Sequence, residues 1–380
     1  MKDFLKRCIS LFLIIPGMNS AHAIEAGNGK TLRPDTVTIC VPDTRTEFIS
    51  LLESIAKDRN IFKKHNLNVE EIHTAKPHER LYADPSQRNS KGRHYVRSER
   101  SDFGVLTQVA GPYSACAFGS SNLDRIILSN DGVSRIRPLA ISYYGDQYDT
   151  HLVVAQNSKI KSVKDLRGRT IHIGQLPTYM AVENLLSAKG VNPDTVNIFA
   201  GLEGGKERLA ALESGKLAAM TAYLPSMSYL LAAGKVRILE ENVVSRYLSK
   251  KVPHSMLIVN KEFAAKNPNI TQAFVDAIQE TYEFVLKNPG EIPGVFRRHR
   301  SPRGGESWYD ITDTEIEKAA AFIGRVKMVQ VGQNEQLDNE TFCDSMAYQE
   351  LIAKSHYIPK VKDLSSFIGV SESGKSCKSL

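Results

Sequence analysis

The stretch that decides the fold is residues 163–190, VKDLRGRTIHIGQLPTYMAVENLLSAKG. Its first residues end in a turn at Gly168, and residues 170–174 form a short apolar run that is typical of a strand. Thr178 is placed to N-cap a helix, and Gly190 is placed to end it. The stretch therefore predicts a turn, a strand and a helix in succession.

The same alternation continues on both sides of this stretch. Toward the C-terminus we predict strands at 196–200 and 217–223, a helix at 206–214 and a further helix that opens at Pro225. Toward the N-terminus we predict strands at 36–41, 66–72, 103–106, 136–144 and 151–155, and a helix after a capping box at Thr44 to Glu47. Beyond residue 260 the pattern is helical, at 270–287, 313–327 and 340–354. Alternating strands and helices predict an α/β fold with helices on both faces of a parallel sheet.

Length and composition set the class of protein. At 380 residues the chain exceeds the usual domain size of roughly 100 to 150 residues, so we expect two lobes. Hydrophobic residues make up 42% and charged residues 24%, which excludes a mostly disordered or collagen-like chain. After the N-terminus no run approaches the length of a membrane-spanning helix, so we expect no stable membrane insertion.

The N-terminus reads as a secretory signal peptide at residues 1–23. Lys2, Lys6 and Arg7 give it a positive start, a mostly apolar run follows, and residues 21–23 form an A-x-A cleavage site. Removing this segment lowers the formal charge from +7 to +5, because it carries three basic residues and Asp3. We therefore expect a periplasmic protein.

Most of the surplus positive charge is local, in residues 76–100 and 297–303. Neither cluster carries aromatic residues at a stacking spacing, so we interpret both as solvated loops and expect no nucleic-acid partner. Four cysteines remain after export, which permits a disulfide without indicating the pairing. They are Cys40, Cys116, Cys343 and Cys377.

Most common catalytic motifs are absent from the sequence, and the one that matches lacks the helix on which its chemistry depends. The sequence has no H-E-x-x-H, no G-x-S-x-G and no CxxC pair, so it indicates neither a metal site nor a hydrolase nucleophile. Residues 369–376 match the phosphate-loop pattern, but only four residues follow them, too few for the helix that the motif needs. We expect no catalytic residue, no metal and no cofactor.

A small ligand of an open α/β sheet binds beyond the carboxyl ends of the strands, where loops lead into helices. Three loops qualify, at 42–46, 174–179 and 223–226, together with the end of the strand near residue 143. Arginine can bind an anion through two parallel hydrogen bonds, whereas tyrosine can stack or hydrogen-bond. The candidate ligand-binding residues are Thr44, Arg45, Tyr143, Tyr144, Gln175, Thr178, Tyr179 and Tyr223.

Four segments resemble a known family of binding proteins. Residues 60–70 (NIFKKHNLNVE) resemble its G-x-F-x-K-x-G-L-x-V-E stretch, with Asn60 and Asn66 where glycine is usual, and residues 101–105 (SDFGV) resemble A-D-F-G-V. Residues 158–171 (SKIKSVKDLRGRTI) are similar to S-x-I-K-S-V-K-D-L-K-G-K-x-V. Residues 211–219 (ALESGKLAA) resemble A-L-x-S-G-x-V-D-A. These segments are typical of periplasmic substrate-binding proteins of ABC importers, in the nitrate/sulfonate/taurine and thiamine-pyrimidine-precursor group.

The resemblance implies a type II periplasmic binding protein with two α/β lobes. Each lobe would have a mixed, mostly parallel sheet, and two crossover strands would join them. Lobe 1 would comprise residues 36–150 and 253–370, lobe 2 would comprise 151–252, and 371–380 would be a flexible tail. The chain would be a monomer that captures a small organic ligand, anionic or heteroaromatic, and delivers it to an ABC permease with its cytoplasmic ATPase.

Two other functions remain open on the same fold. One is a pyridoxal-phosphate-dependent pyrimidine-precursor synthase, but those enzymes carry a cysteine-rich motif and no two cysteines are close together here. The other is a ligand-sensing subunit that reports to a membrane receptor kinase. We expect a binding protein rather than an enzyme.

Overall fold

The fold is known from a computed structural model that describes most of the chain after residue 34. The described residues are 35–42, 48–74, 109, 116–123, 135–143, 149–199, 205–223, 230–231, 233–291, 294–295, 328–330 and 339–355. All of them lie in one compact unit that begins at Asp35. No helix within these residues is long and apolar enough to cross a membrane.

The described strands and helices alternate over most of the chain. The strands are β1 Asp35–Pro42, β2 Leu67–Thr74, β3 Phe118–Asn122, β4 Ile136–Tyr143, β5 Thr150–Ala155, β6 Thr170–His172, β7 Asn197–Phe199, β8 Ala219–Tyr223, β9 Val236–Glu240, β10 Pro253–Asn260 and β11 Met328–Gln330. The helices are α1 Phe48–Asp58, α2 Ile61–Lys64, α3 Leu176–Ala188, α4 Gly205–Glu213, α5 Val243–Tyr247, α6 Lys261–Lys266, α7 Pro268–Lys287 and α8 Asn339–Ser355. Short 3-10 turns lie at Val163–Leu166, Pro193–Thr195 and Pro289–Glu291.

The described strands form two mixed sheets. One has the order β11-β4-β10-β3-β1-β2 and the other has the order β7-β6-β8-β5-β9. β10 runs antiparallel to β3 and β4, and β5 runs antiparallel to β8 and β9. Most of the remaining described strands share one direction within their sheet, as β1, β2 and β3 do. The α/β class and the mixed sheets are confirmed.

The six-stranded sheet packs on α7 through aromatic rings. The Phe118 ring on β3 stacks on the Phe274 ring of α7 with centroids 4.0 Å apart, and Phe62 stacks on Phe274 at 5.5 Å. The helix supplies this face because its buried residues, which include Ala277 and Ile278, recur at helical spacing. Every residue of β10 is buried, which explains why its sequence shows no polar alternation.

Two asparagines, Asn60 and Asn66, stand where the family that the sequence resembles usually has glycine, and their backbone conformation explains why asparagine is tolerated there. Asn60 has a φ of 57° and Asn66 has a φ of 58°, so both lie in the left-handed region. Glycine adopts this conformation freely, and asparagine is among the few other residues that visit it at low cost. These positions flank α2, where the chain must turn sharply into and out of a single helical turn.

A disulfide joins Cys40 on β1 to Cys116, two residues before β3. The two Cα atoms are 5.5 Å apart, and both residues are buried between neighbouring parallel strands. Cys343 on α8 is also disulfide-bonded. The pairing that the sequence left open is thus decided for Cys40 and Cys116, whereas Cys377 lies outside the described residues.

Several predicted elements lie outside the described residues. They are the strand at 103–106, the start of the helix at Pro225, the helix at 313–327 and the basic segments 76–100 and 297–303. The signal peptide at 1–23 and the tail at 371–380 also lie outside them.

Candidate functional site

In the part of the chain that the structure describes, the backbone passes twice between the two sheets. It leaves the six-stranded sheet at Tyr143 and enters the five-stranded sheet at Thr150. It leaves again at Glu240 and returns at Pro253. We call residues 144–149 the first crossover and residues 241–252 the second crossover.

Strand register places both crossovers at the carboxyl ends of parallel strands. Thr150 pairs with Tyr223, the last residue of β8, and Pro253 pairs with Tyr143, the last residue of β4. This edge is where an open α/β sheet binds its ligands. The topology therefore brings the carboxyl edges of both sheets to the crossovers.

The loop after β6 contributes the most complete set of candidate residues. Gln175 is extended, with φ −138° and ψ 147°, and immediately precedes α3. Thr178 is 1% exposed, and its hydroxyl oxygen lies 3.4 Å from that of Thr150. Tyr179 is 2% exposed and packs in the apolar core beside α3. The positive end of the α3 dipole and its first amides lie at this edge.

The prediction that Thr178 caps this helix is wrong. The cap is Gln175, and α3 begins at Leu176 with Pro177 in its first turn. Proline suits that turn because its φ is already helical and its missing N–H would have no partner there. Thr178 is consequently inside the helix, and its hydroxyl faces the first strand after the crossover.

The remaining candidates are divided between the two sheets and the undescribed residues. Tyr143 ends β4 and packs, partly buried, against the core that surrounds α3. Tyr223 ends β8 opposite Thr150, at the same edge as Gln175. Thr44, Arg45 and Tyr144 lie outside the described residues.

Sequence reasoning missed two buried polar residues, Asp149 at the end of the first crossover and His151 at the start of β5. The Asp149 carboxylate is fully buried and accepts backbone hydrogen bonds from Thr150, Val244 and Ser245 at 2.5, 3.1 and 2.9 Å. Burial raises the pKa of this carboxyl, while its hydrogen bonds with Ser245, Thr150 and Val244 act in the opposite direction.

His151 lies two residues further along the chain, on β5, and is 5% exposed. Its Nδ1 accepts the backbone N–H of Asn242 at 3.3 Å, and burial lowers the pKa of the imidazole to about 4. The signal for both residues was the run Asp149, Thr150 and His151, three polar residues directly before an apolar strand.

Metal ligands do not gather in the part of the chain that the structure describes. No group of three or more His, Cys, Asp or Glu residues there could hold an ion.

The comparisons with known proteins agree with this fold. Residues 118–292 match the family model described as NMT1/THI5 like. No curated protein sequence matches the chain.

Three solved structures show the same fold at low identity. The alkanesulfonate-binding protein SsuA from Xanthomonas axonopodis pv. citri, bound to MOPS, is 11% identical, with a TM-score of 0.60 over 87% of this chain and 96% of that one. The periplasmic aliphatic sulphonate-binding protein SsuA from Escherichia coli is 15% identical, with a TM-score of 0.59 over 87% of this chain and 96% of its own. The desulfurization enzyme DszB is 14% identical, with a TM-score of 0.55 over 89% of this chain and 97% of its own.

The family-model match and the shared fold confirm the resemblance that the four sequence segments indicate. The DszB structure shows that the fold also supports an enzyme, so the fold alone does not decide between binding and catalysis. The chain carries an NMT1/THI5-like domain at residues 118–292 and has the fold of periplasmic substrate-binding proteins.

Proposed function

We propose that this chain is an extracytoplasmic solute-binding protein that captures a small organic ligand between two lobes and delivers it to an ABC-type permease. The observation that carries the proposal is the position of both crossovers at the carboxyl edges of both sheets. A ligand at that edge can contact both sheets at once. It then stabilises the closed arrangement only by the contacts that it makes there and not in the open one.

The ligand is a small organic molecule, anionic or heteroaromatic. An anionic group is favoured at the α3 N-terminus, because free backbone amides and the helix dipole both attract negative charge. The hydroxyls of Thr150 and Thr178 lie together at that point and add neutral donors. Two proteins with this fold bind sulfonates, which are anions of this kind.

The ligand contacts are proposed to come from both sheets. Gln175, Thr178, Tyr179 and Tyr223 would supply the contacts on the five-stranded sheet, and Tyr143 would supply one on the six-stranded sheet. Thr44, Arg45 and Tyr144 complete the proposed set. Lobe 1 would comprise 36–150 and 253–370, and lobe 2 would comprise 151–252.

Export through the signal peptide at 1–23 places the chain in the periplasm under this proposal. The disulfide between Cys40 and Cys116 supports an oxidising compartment, because such bonds persist there and are rare in the cytosol. The partner would be a membrane permease with its cytoplasmic ATPase, and the chain would act as a monomer.

The test is calorimetric titration of the mature chain, residues 24–380, with alkanesulfonates, nitrate, pyrimidines, flavins and aromatic acids. We expect one class to bind with one molecule per chain. The ligand should be recovered chemically unchanged after long incubation, which separates a binding protein from an enzyme. Binding by no class, or conversion of the ligand, would sink the proposal.

A matched pair of variants tests the location of the site. Thr178→Val removes a hydroxyl at the proposed site, whereas Thr281→Val removes one that donates to Ala277 in α7, away from the crossovers. Loss of a hydrogen bond to a charged group costs about 1.5 to 3 kcal/mol, so Thr178→Val should weaken binding by roughly tenfold or more. Thr281→Val should leave the affinity unchanged. Equal affinity in both variants would move the site away from α3.

A further inference from the structure

The N-terminus of α5 is capped by a residue from the other crossover. Asn242 occupies the usual cap position, but it has a φ of 51° and its side chain makes no cap hydrogen bond. Asp149 takes that role from 95 residues earlier in the chain, accepting the amides of Val244 and Ser245. The Asp149 carboxylate therefore joins the two crossovers through hydrogen bonds.

His151 adds another hydrogen bond between the two passages. Its Nδ1 accepts the amide of Asn242, so Asp149 and His151 together bind backbone groups within residues 242–245. Both acceptors are buried, at 0% and 5% exposure. Breaking these bonds would leave a buried carboxylate and backbone amides without partners, which is costly.

The helix that receives these bonds is itself fixed to the five-stranded sheet. Tyr247 donates its hydroxyl to Glu240 at the end of β9, at 2.8 Å, and Asn184 of α3 donates to the backbone oxygen of Tyr247 at 2.8 Å. Asp149 therefore bonds to a helix that is anchored where the second crossover begins.

We propose that Asp149 is a clip that makes the two crossovers bend as one unit, so that the two sheets open and close by a single hinge movement. The unit comprises Asp149 to His151 from the first passage and Asn242 to Ser245 from the second. The clip needs no ligand, so its failure would leave the proposed binding function standing.

The first test is amide hydrogen exchange, followed by NMR, in the mature chain without substitutions. The amides of Asn242, Val244 and Ser245 should exchange through one common opening, because the three bonds that join the two passages break together when the clip opens. Clearly different opening free energies among them would overturn the proposal, and this measurement requires no variant to fold.

The second test measures the movement itself. Spin labels are attached to p-acetylphenylalanine introduced in place of Lys63 on α2 and Lys216 before β8, both exposed, and their distance distribution is recorded. Asp149→Asn keeps the shape of the side chain but replaces one acceptor oxygen with an NH2 group, which cannot accept a hydrogen bond from a backbone N–H. Asp194→Asn makes the same change at an exposed turn and is the control. We expect a broader or second distance population in Asp149→Asn only. Identical distributions in the two variants, with loss of protection at Val244 and Ser245, would show that the bond exists without governing the hinge.

Discussion

Loss of the disulfide between Cys40 and Cys116 should lower the free energy of unfolding by several kcal/mol. The bond closes a loop of 76 residues, and the chain-entropy relation gives about 4.5 kcal/mol at 25 °C for a loop of that length. Both cysteines are buried, so the replacement Cys40→Ala with Cys116→Ala avoids the cost of an unpaired serine hydroxyl in the core.

Urea denaturation followed by circular dichroism measures this change. The substituted chain is preferable to chemical reduction, because Cys343 is also disulfide-bonded and a reductant would act on both bonds. We expect the urea midpoint to fall with an increased m-value, since the unlinked chain exposes more surface when it unfolds. If the substitutions lower the free energy of unfolding by less than about 1 kcal/mol, the reasoning that this loop closure stabilises the fold is refuted.

Three further predictions concern stability. Phe118→Ala removes a fully buried ring that stacks on Phe274 and should cost about 3 to 5 kcal/mol in urea denaturation. Phe199→Ala, at a residue that is 43% exposed, should cost under about 1 kcal/mol, and equal costs would contradict this packing. Gly190→Ala should lower the free energy of unfolding by about 1 kcal/mol, because Gly190 has a φ of 74° that alanine adopts only with strain. An added Cβ at Gly190 would meet nothing within 4 Å, so backbone strain is the whole cost. Gly290→Ala is the control, since Gly290 has equal space and no positive φ, and it should cost clearly less. The pKa of His151 lies near 4 in the folded chain against 6.5 ordinarily, so the unfolded chain binds the extra proton between these values and stability falls as the pH falls through that window. Wild type should therefore lose about 3 kcal/mol more than His151→Gln between neutral pH and about pH 4, and parallel pH profiles would contradict the burial of a neutral imidazole.

The α/β order could be predicted because its signals are local. The strand at β6 and the helix at α3 are marked by β-branched residues, a proline in the first turn and a glycine with positive φ just after the last turn. The start of α3 was misjudged by three residues, because threonine is a common cap and the sequence does not show where its hydroxyl points.

The contacts that shape the crossover edge could not be predicted because they join distant residues. Asp149 caps a helix 95 residues later, and Cys40 finds its partner only because β1 and β3 are neighbours in the sheet. Neither pairing leaves a local pattern in the sequence. The topology of the two sheets decides which of the polar residues meet.

The most direct test of ligand capture between the two sheets is amide exchange across the mature chain, with and without a saturating amount of the ligand found by calorimetry. Binding at 100 times the dissociation constant stabilises the folded chain by about 2.7 kcal/mol, enough to slow exchange measurably. We predict simultaneous protection at 173–179 after β6, at both crossovers, at the end of β4 and at the start of β10. Protection confined to one sheet, with the crossovers unchanged, would contradict capture between the two lobes.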